Sequence, residues 1–261
     1  MAPYVRGRGF ERGLSVLFVG PVRFVVVVAA FSIGFLGSVL QPASTQNPLA
    51  VGYLVAALSI SLALGKTTTA CGLNVLASLW RSPHSRPMRL AEALVYGLVA
   101  MATAGCIGFV LSSVGSAIEL PGGLLGAAPI LSLLGLLELG IIKLPRILSL
   151  RWQVPAHWVR DPRVAPIVWG FFLGSGLSTW MPFPSYFGLL MIVMMMPIPM
   201  GTAIMTLYGV SRAAPALVLA LSQGDVLDSI ARRTWELRLL GHAVAGCVCL
   251  ALSGAIIAVA L

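Results

Sequence analysis

The 261 residues predict an all-α, polytopic membrane protein of about seven transmembrane helices, an N-terminal helix followed by two inverted three-helix repeats. Three observations carry that expectation: composition, the side on which basic residues fall, and landmarks that recur between the two halves. Hydrophobic residues make up 58% of the chain and charged ones only 10%, against roughly a quarter charged in soluble domains, and the mean hydropathy is +0.96. Crossing about 30 Å of hydrocarbon takes roughly 20 apolar residues, and the sequence supplies such runs repeatedly between short polar breaks. Spans are expected at residues 24–40, 49–80, 90–112, 123–142, 166–196, 198–221 and 239–260.

The first run is 17 residues long, longer than a usual signal-peptide core, and reads as a helix, although Gln41-Pro42-Ala43-Ser44 resembles a processing site. The net charge of +9 invites a nucleic-acid reading, but the basic residues sit at span borders. Arg6, Arg8, Arg12 and Arg23 precede the first span; Arg81, Arg86 and Arg89 follow the second. Lys143, Arg146, Arg151, Arg160 and Arg163 follow the fourth, and Arg232, Arg233 and Arg238 precede the seventh. The alternate connections carry none, so the positive-inside rule predicts a cytoplasmic N-terminus and a C-terminus on the opposite side; the expected setting is a bacterial inner membrane, with the C-terminus in the periplasm. The chain then divides into a basic N-terminus with the first helix (1–48), a first three-helix repeat (49–145), a basic cytoplasmic loop (146–165) and a second repeat (166–261). The lipid bilayer is the expected partner, and nucleic acid is not.

The repeat rests on three landmarks. Gly65-Lys66-Thr67-Thr68 matches Gly176-Leu177-Ser178-Thr179 at an offset of 111, and Tyr96-Gly97-Leu98 matches Tyr208-Gly209-Val210 at 112. Gly140-Ile141-Ile142 matches Gly254 followed by Ile256-Ile257 at 114. Three helices per repeat is an odd number, so the second repeat enters the membrane from the side opposite to the first, as the charges also require. Inverted repeats place a functional site near the midplane.

The first spans of the two repeats, 49–80 and 166–196, are each about 31 residues, too long for one straight crossing at ordinary tilt. One is interrupted by Lys66-Thr67-Thr68-Thr69-Ala70-Cys71-Gly72, the other between Ser175 and Ser185, with Pro182 and Pro184. Proline removes a backbone donor and clashes with the preceding turn, and Gly and Thr loosen the ladder, so both helices are expected to break there. Broken backbone at membrane depth is tolerated against protein or a wet cavity, so the two interruptions are expected to face each other.

This layout resembles the transmembrane domain shared by CcdA and DsbD, the cytochrome c biogenesis superfamily. The likeness covers about residues 50–260 and includes the run Leu133-Leu134-Gly135-Leu136-Leu137-Glu138-Leu139-Gly140-Ile141-Ile142-Lys143-Leu144-Pro145. Cys71 stands where the first family cysteine would be; the equivalent stretch Thr179-Trp180-Met181-Pro182-Phe183-Pro184 keeps the proline but has no thiol. Within that superfamily the extra N-terminal helix and the size are most similar to the MauF family of methylamine-utilisation proteins. The resemblance implies a role in periplasmic protein maturation, with methylamine dehydrogenase as the cargo and maturation partners or another membrane subunit alongside. Thiol–disulfide exchange needs two sulfurs, and Cys71 has no symmetry mate.

Cys71 is therefore either a functional thiol, the candidate catalytic residue, or packing. Cys106, Cys247 and Cys249 read as small buried residues. Lys66 is the sharpest position, because a lysine at mid-span costs several kcal/mol and is functional by default. Glu138 is its expected internal partner, with an anionic group as the other reading. Arg212 reads as snorkelling to the cytoplasmic end. Met181, Met191, Met194, Met195, Met196, Met200 and Met205 suit Cu(I) in principle but have no His or Cys among them, and His242 stands alone, so no metal site is expected. The expected cavity lining is Lys66, Thr67, Thr68, Thr69, Gly72, Glu138, Ser178, Thr179, Pro182 and Pro184. No nucleotide loop, nucleophile turn or metalloprotease motif is present, so no classical enzyme activity and no cofactor are expected. Maturation support is the leading expectation, in a thiol-redox or an assembly role, the latter a scaffold for partner subunits. A small-solute or metal-ion transporter using the same cavity is the alternative.

Overall fold

The computed structural model describes residues 21–39, 48–67, 69–81, 85–118, 123–142, 154–176, 184–221 and 226–260. Among them the chain is all-helical. The helices are α1 (Pro21–Val39), α2 (Pro48–Thr67), α3 (Ala70–Arg81), α4 (Arg86–Ile118), α5 (Gly123–Glu138), α6 (Ala165–Ser175), α7 (Ser185–Met194), α8 (Ile198–Leu221) and α9 (Val226–Ala260), with a 3₁₀ turn at Ala156–Val159 before α6. Three stretches are long and apolar enough to cross a membrane, Arg86–Ile118, Ile198–Leu221 and Arg238–Val259. A fourth follows if the pair Val51–Thr67 and Cys71–Ser78, bent by 69°, is one broken span.

Each expected span coincides with one helix or a pair of helices, with three differences. First, α4 runs to 33 residues and overshoots residues 90–112 at both ends. Second, α9 begins at Val226, so Arg232, Arg233 and Arg238 lie on a helix where a connection was expected. Their neighbours Leu227, Trp235, Glu236 and Leu237 include no Gly or Pro to stop it. Third, α5 stops at Glu138 because Gly140 takes the left-handed conformation (φ 68°). Its N–H bonds the Leu137 carbonyl at 3.0 Å and the Ile141 N–H bonds Leu136 at 3.0 Å, a Schellman ending that glycine permits. Gly254, its sequence match, is buried inside α9, so that third landmark joins two different environments.

Small residues set the packing. Helices α4 and α8 run antiparallel: Gly97 faces Ala213 near one end, and Gly108 faces the Gly201 carbonyl near the other. At Gly209 a Cβ would lie 2.7 Å from the Ala100 carbonyl oxygen, so the two backbones are in contact. In hydrocarbon, close approach of this kind replaces the hydrophobic effect as the source of helix association. Helices α5 and α9 meet the same way at Gly135 and Gly246, with Ser132 and Ser253 hydroxyls 2.7 Å apart. Helix α1 lies on α9, α2 lies against α8 and α9, and α6 lies against α4, where Gly174 abuts Ala100. Among the described residues one apolar cluster gathers around Leu62, Leu131, Leu189 and Met205, a second around Cys71, Tyr96, Trp169 and Leu173, and a small third holds Ala30, Leu139 and Leu250. The first helix break runs from the first cluster, at Ala63, to the second, at Cys71.

Candidate functional site

Both interruptions fall between helix ends, and the described residues that flank them meet. In the first, α2 ends at Thr67 and α3 starts at Ala70. The Lys66 carbonyl released by the bend accepts from the Thr69 N–H at 3.1 Å and from Thr69 Oγ1 at 2.6 Å, while Thr67 Oγ1 bonds back to Ala63 at 3.0 Å. Threonine side chains thus re-satisfy backbone that a bend would leave bare in lipid. Gly72 is required by the turn, since a Cβ there would lie 2.3 Å from the Thr67 carbonyl oxygen.

In the second, α6 ends on Gly176 in the left-handed conformation (φ 64°) and α7 begins at Ser185 behind Pro184. Eleven residues of α6 point their C-terminal carbonyls at the break, carrying partial negative charge. Two side chains take them: Tyr186 Oη donates to the Ser175 carbonyl at 2.6 Å, and Lys66 Nζ donates to the Gly176 carbonyl at 3.2 Å. The ammonium also lies 3.3 Å from the Tyr186 ring centroid and 5.6 Å from that of Tyr208. Those two rings pack 5.4 Å apart, so the lysine, 1% exposed, is solvated by a helix end and two aromatic faces.

Glu138 is not its partner. One carboxylate oxygen accepts from the Ser185 N–H at 2.9 Å and from the Ser185 hydroxyl; the other pairs with His242 Nδ1 of α9. A carboxylate at the first N–H of α7 is where the helix dipole favours an anion. The end of α6 therefore receives a basic side chain and the start of α7 a carboxylate. The expected Lys66–Glu138 ion pair is replaced by these two separate arrangements, and His242 is engaged rather than alone.

Arg212 also departs from expectation. It does not snorkel: it is 2% exposed and its Nη1 reaches the Ala63 carbonyl at 3.3 Å, one turn before Lys66. Its Nε and the Tyr208 hydroxyl are buried without a hydrogen-bond partner among the described residues.

Of the expected lining, Lys66, Thr67, Thr69, Gly72 and Glu138 are buried at or next to the breaks, and Pro184 heads α7. Thr68, Ser178, Thr179 and Pro182 lie outside the described residues. Cys71 is a buried member of an apolar cluster with Val75, Leu76 and Tyr96. Sequence reasoning missed Tyr186 and the inward course of Arg212. The signal for Arg212 was present, because Tyr208 and Arg212 are four apart and share a helix face.

Comparison of the chain with known protein families, with characterised proteins and with solved structures finds no match. The class that fold and site define is an all-helical protein with several helices fit to span a membrane and a charged, broken-helix junction at its core.

Proposed function

We propose that the chain is a bacterial inner-membrane carrier of a small solute: seven spans, an N-terminal helix plus two inverted three-helix repeats, and a midplane site where the two broken spans meet. The single observation that carries this reading is the Lys66 bond to Gly176, which joins the two breaks through a buried charge. Broken helices confronting each other around an ionisable residue are the hardware of alternating access.

Packing supports the register that the landmarks set. Gly174 of α6 abuts Ala100 of α4; subtracting the offset of 111 from the first and adding 112 to the second pairs these positions with Ala63 of α2 and Arg212 of α8, which are bonded to each other. The seams α4–α6 and α2–α8 are thus equivalent under the register that Gly65/Gly176 and Tyr96/Tyr208 set. In α5 and α9 the equivalent pair is Gly135/Gly246, again at 111, in place of Gly140/Gly254.

The test is uptake into proteoliposomes. A panel of labelled small solutes should include one whose uptake is lost in Lys66→Ala and kept in Cys71→Ser. Labelling of single cysteines in a cysteine-free background should put Ala156→Cys and Ser222→Cys on the cytoplasmic side and Ser44→Cys on the other. Opposite sides for the first two would end the inverted-repeat reading.

A second reading, support of periplasmic protein maturation such as methylamine dehydrogenase biogenesis, is favoured by where the helices end: Cys71 lies in the first turn of α3 and Pro184 heads α7, the positions the CcdA-like layout implies. A mixed disulfide trapped at Cys71, or loss of maturation in Cys71→Ser, would move the assignment to it. Co-purification of a stable partner without uptake would mark the assembly form of that role.

A further inference from the structure

We propose that Lys66, Arg212 and Tyr208 form a binding site for a small oxygen-bearing anion, either a carboxylate or a tetrahedral oxyanion. This names the ligand class of the junction and rests on the reading above that the junction is a solute site.

The contacts close a circuit. Lys66 donates to the Gly176 carbonyl; a Cβ on Gly176 would lie 3.0 Å from the Tyr208 hydroxyl; Tyr208 is one turn before Arg212 on α8. Arg212 in turn bonds the carbonyl of Ala63, one turn before Lys66 on α2. Within the circuit every side chain is a donor and every acceptor is neutral. Lys66 has one carbonyl and two ring faces; Arg212 has one carbonyl, and its Nε none; the Tyr208 hydroxyl has none among the described residues.

Two basic side chains are buried here, and among the described residues no carboxylate is bonded to either. Glu138, the buried acid among the described residues, already has both oxygens engaged by Ser185 and His242. Burial of unpaired charge is expensive, and aromatic faces and a helix C-terminus offset only part of it. An anion between Lys66 and Arg212 would supply the missing negative charge and accept from the orphaned Nε and hydroxyl together. The guanidinium fork suits two oxygens of one group, and the ammonium acts as a point charge beside it.

The experiment uses the full chain in nanodiscs of phosphatidylcholine, with acetate, succinate, phosphate and sulfate as probes, chloride as a control, and the unfolding midpoint and calorimetric affinity as readouts. We expect at least one oxyanion to raise the midpoint with saturation. Lys66→Met and Arg212→Gln should each weaken its affinity by about 10-fold or more, and Tyr208→Phe by about 3- to 10-fold, as loss of charged and neutral hydrogen bonds implies. Arg212→Lys, which keeps the charge without the fork, should bind more tightly than Arg212→Gln and guards against a folding artefact. Stabilisation by phosphatidylglycerol alone, lost in the same variants, would identify a lipid phosphate as the source of the anion. Absence of any oxyanion effect in both lipids, or an effect unchanged in Lys66→Met and Arg212→Gln, would overturn the site. Binding without uptake would keep the site and end the carrier reading, whereas uptake of a solute indifferent to Arg212→Gln would do the reverse.

Discussion

Lys66 Nζ and the Gly176 carbonyl oxygen lie 3.2 Å apart, so the break in one helix is tied to the break in another by a single buried ammonium. The bond is between a charge and a neutral dipole, and that asymmetry shapes what substitutions there should do.

Lys66→Met is expected to leave the fold intact and to raise the unfolding midpoint or leave it unchanged, because an isolated buried cation is replaced by an apolar chain of similar length. Thermal unfolding in detergent checks this. A loss of more than about 2 kcal/mol would instead make the lysine a structural rivet.

Gly176→Ala should destabilise. The site holds φ at 64°, and a Cβ would come within 2.4 Å of the Tyr186 hydroxyl and 3.0 Å of that of Tyr208. Strain of roughly 1–3 kcal/mol is expected. At about 2–4 °C per kcal/mol for a chain of this size, the midpoint should fall by several degrees.

Glu138→Ala should cost about 2–4 kcal/mol, since it strips the Ser185 N–H and hydroxyl and the His242 ring of their shared acceptor. Glu138→Gln keeps a carbonyl oxygen for Ser185 and should recover part of that loss. Equal midpoints for the two variants would show that the carboxylate does not hold the head of α7.

Gly209→Val should force α8 away from α4, because the nearest atoms to a new Cβ are the Ala100 carbonyl and the Met101 Cα, backbone atoms that cannot swing aside. We expect a loss of at least about 2 kcal/mol and faster proteolysis of the solubilised protein. Val210→Ala, one residue on and 44% exposed, is the control and should be nearly silent.

The helices and their breaks were legible because both are local properties. Apolar length marks a span, and Gly72, Pro184 and the threonines mark where it fails. Lys66 was legible for the same reason, being a charge within an apolar run. Its surroundings were not. Glu138 looked like the natural partner because the sequence offers few buried acids, but Ser185 and His242, 47 and 104 residues away, converge on that carboxylate only after folding. A helix terminus and two tyrosine rings can solvate an ammonium without any residue of opposite charge, and a list of charges does not show that. Arg212 was misjudged by depth along α8 when the face it shares with Tyr208 was the better guide. The early start of α9 shows the reverse error: arginines mark a membrane border without ending a helix.

Main chain rests directly on main chain where α4 crosses α8, at Gly108 and Gly209, with the Met205 side chain wedged against Gly108. Such a seam has no slack to slide, so that crossing should behave as a fixed post. Helix α6 is held to α4 in the same way at Gly170 and Gly174, so any rocking of this protein falls to the short segments α3 and α7.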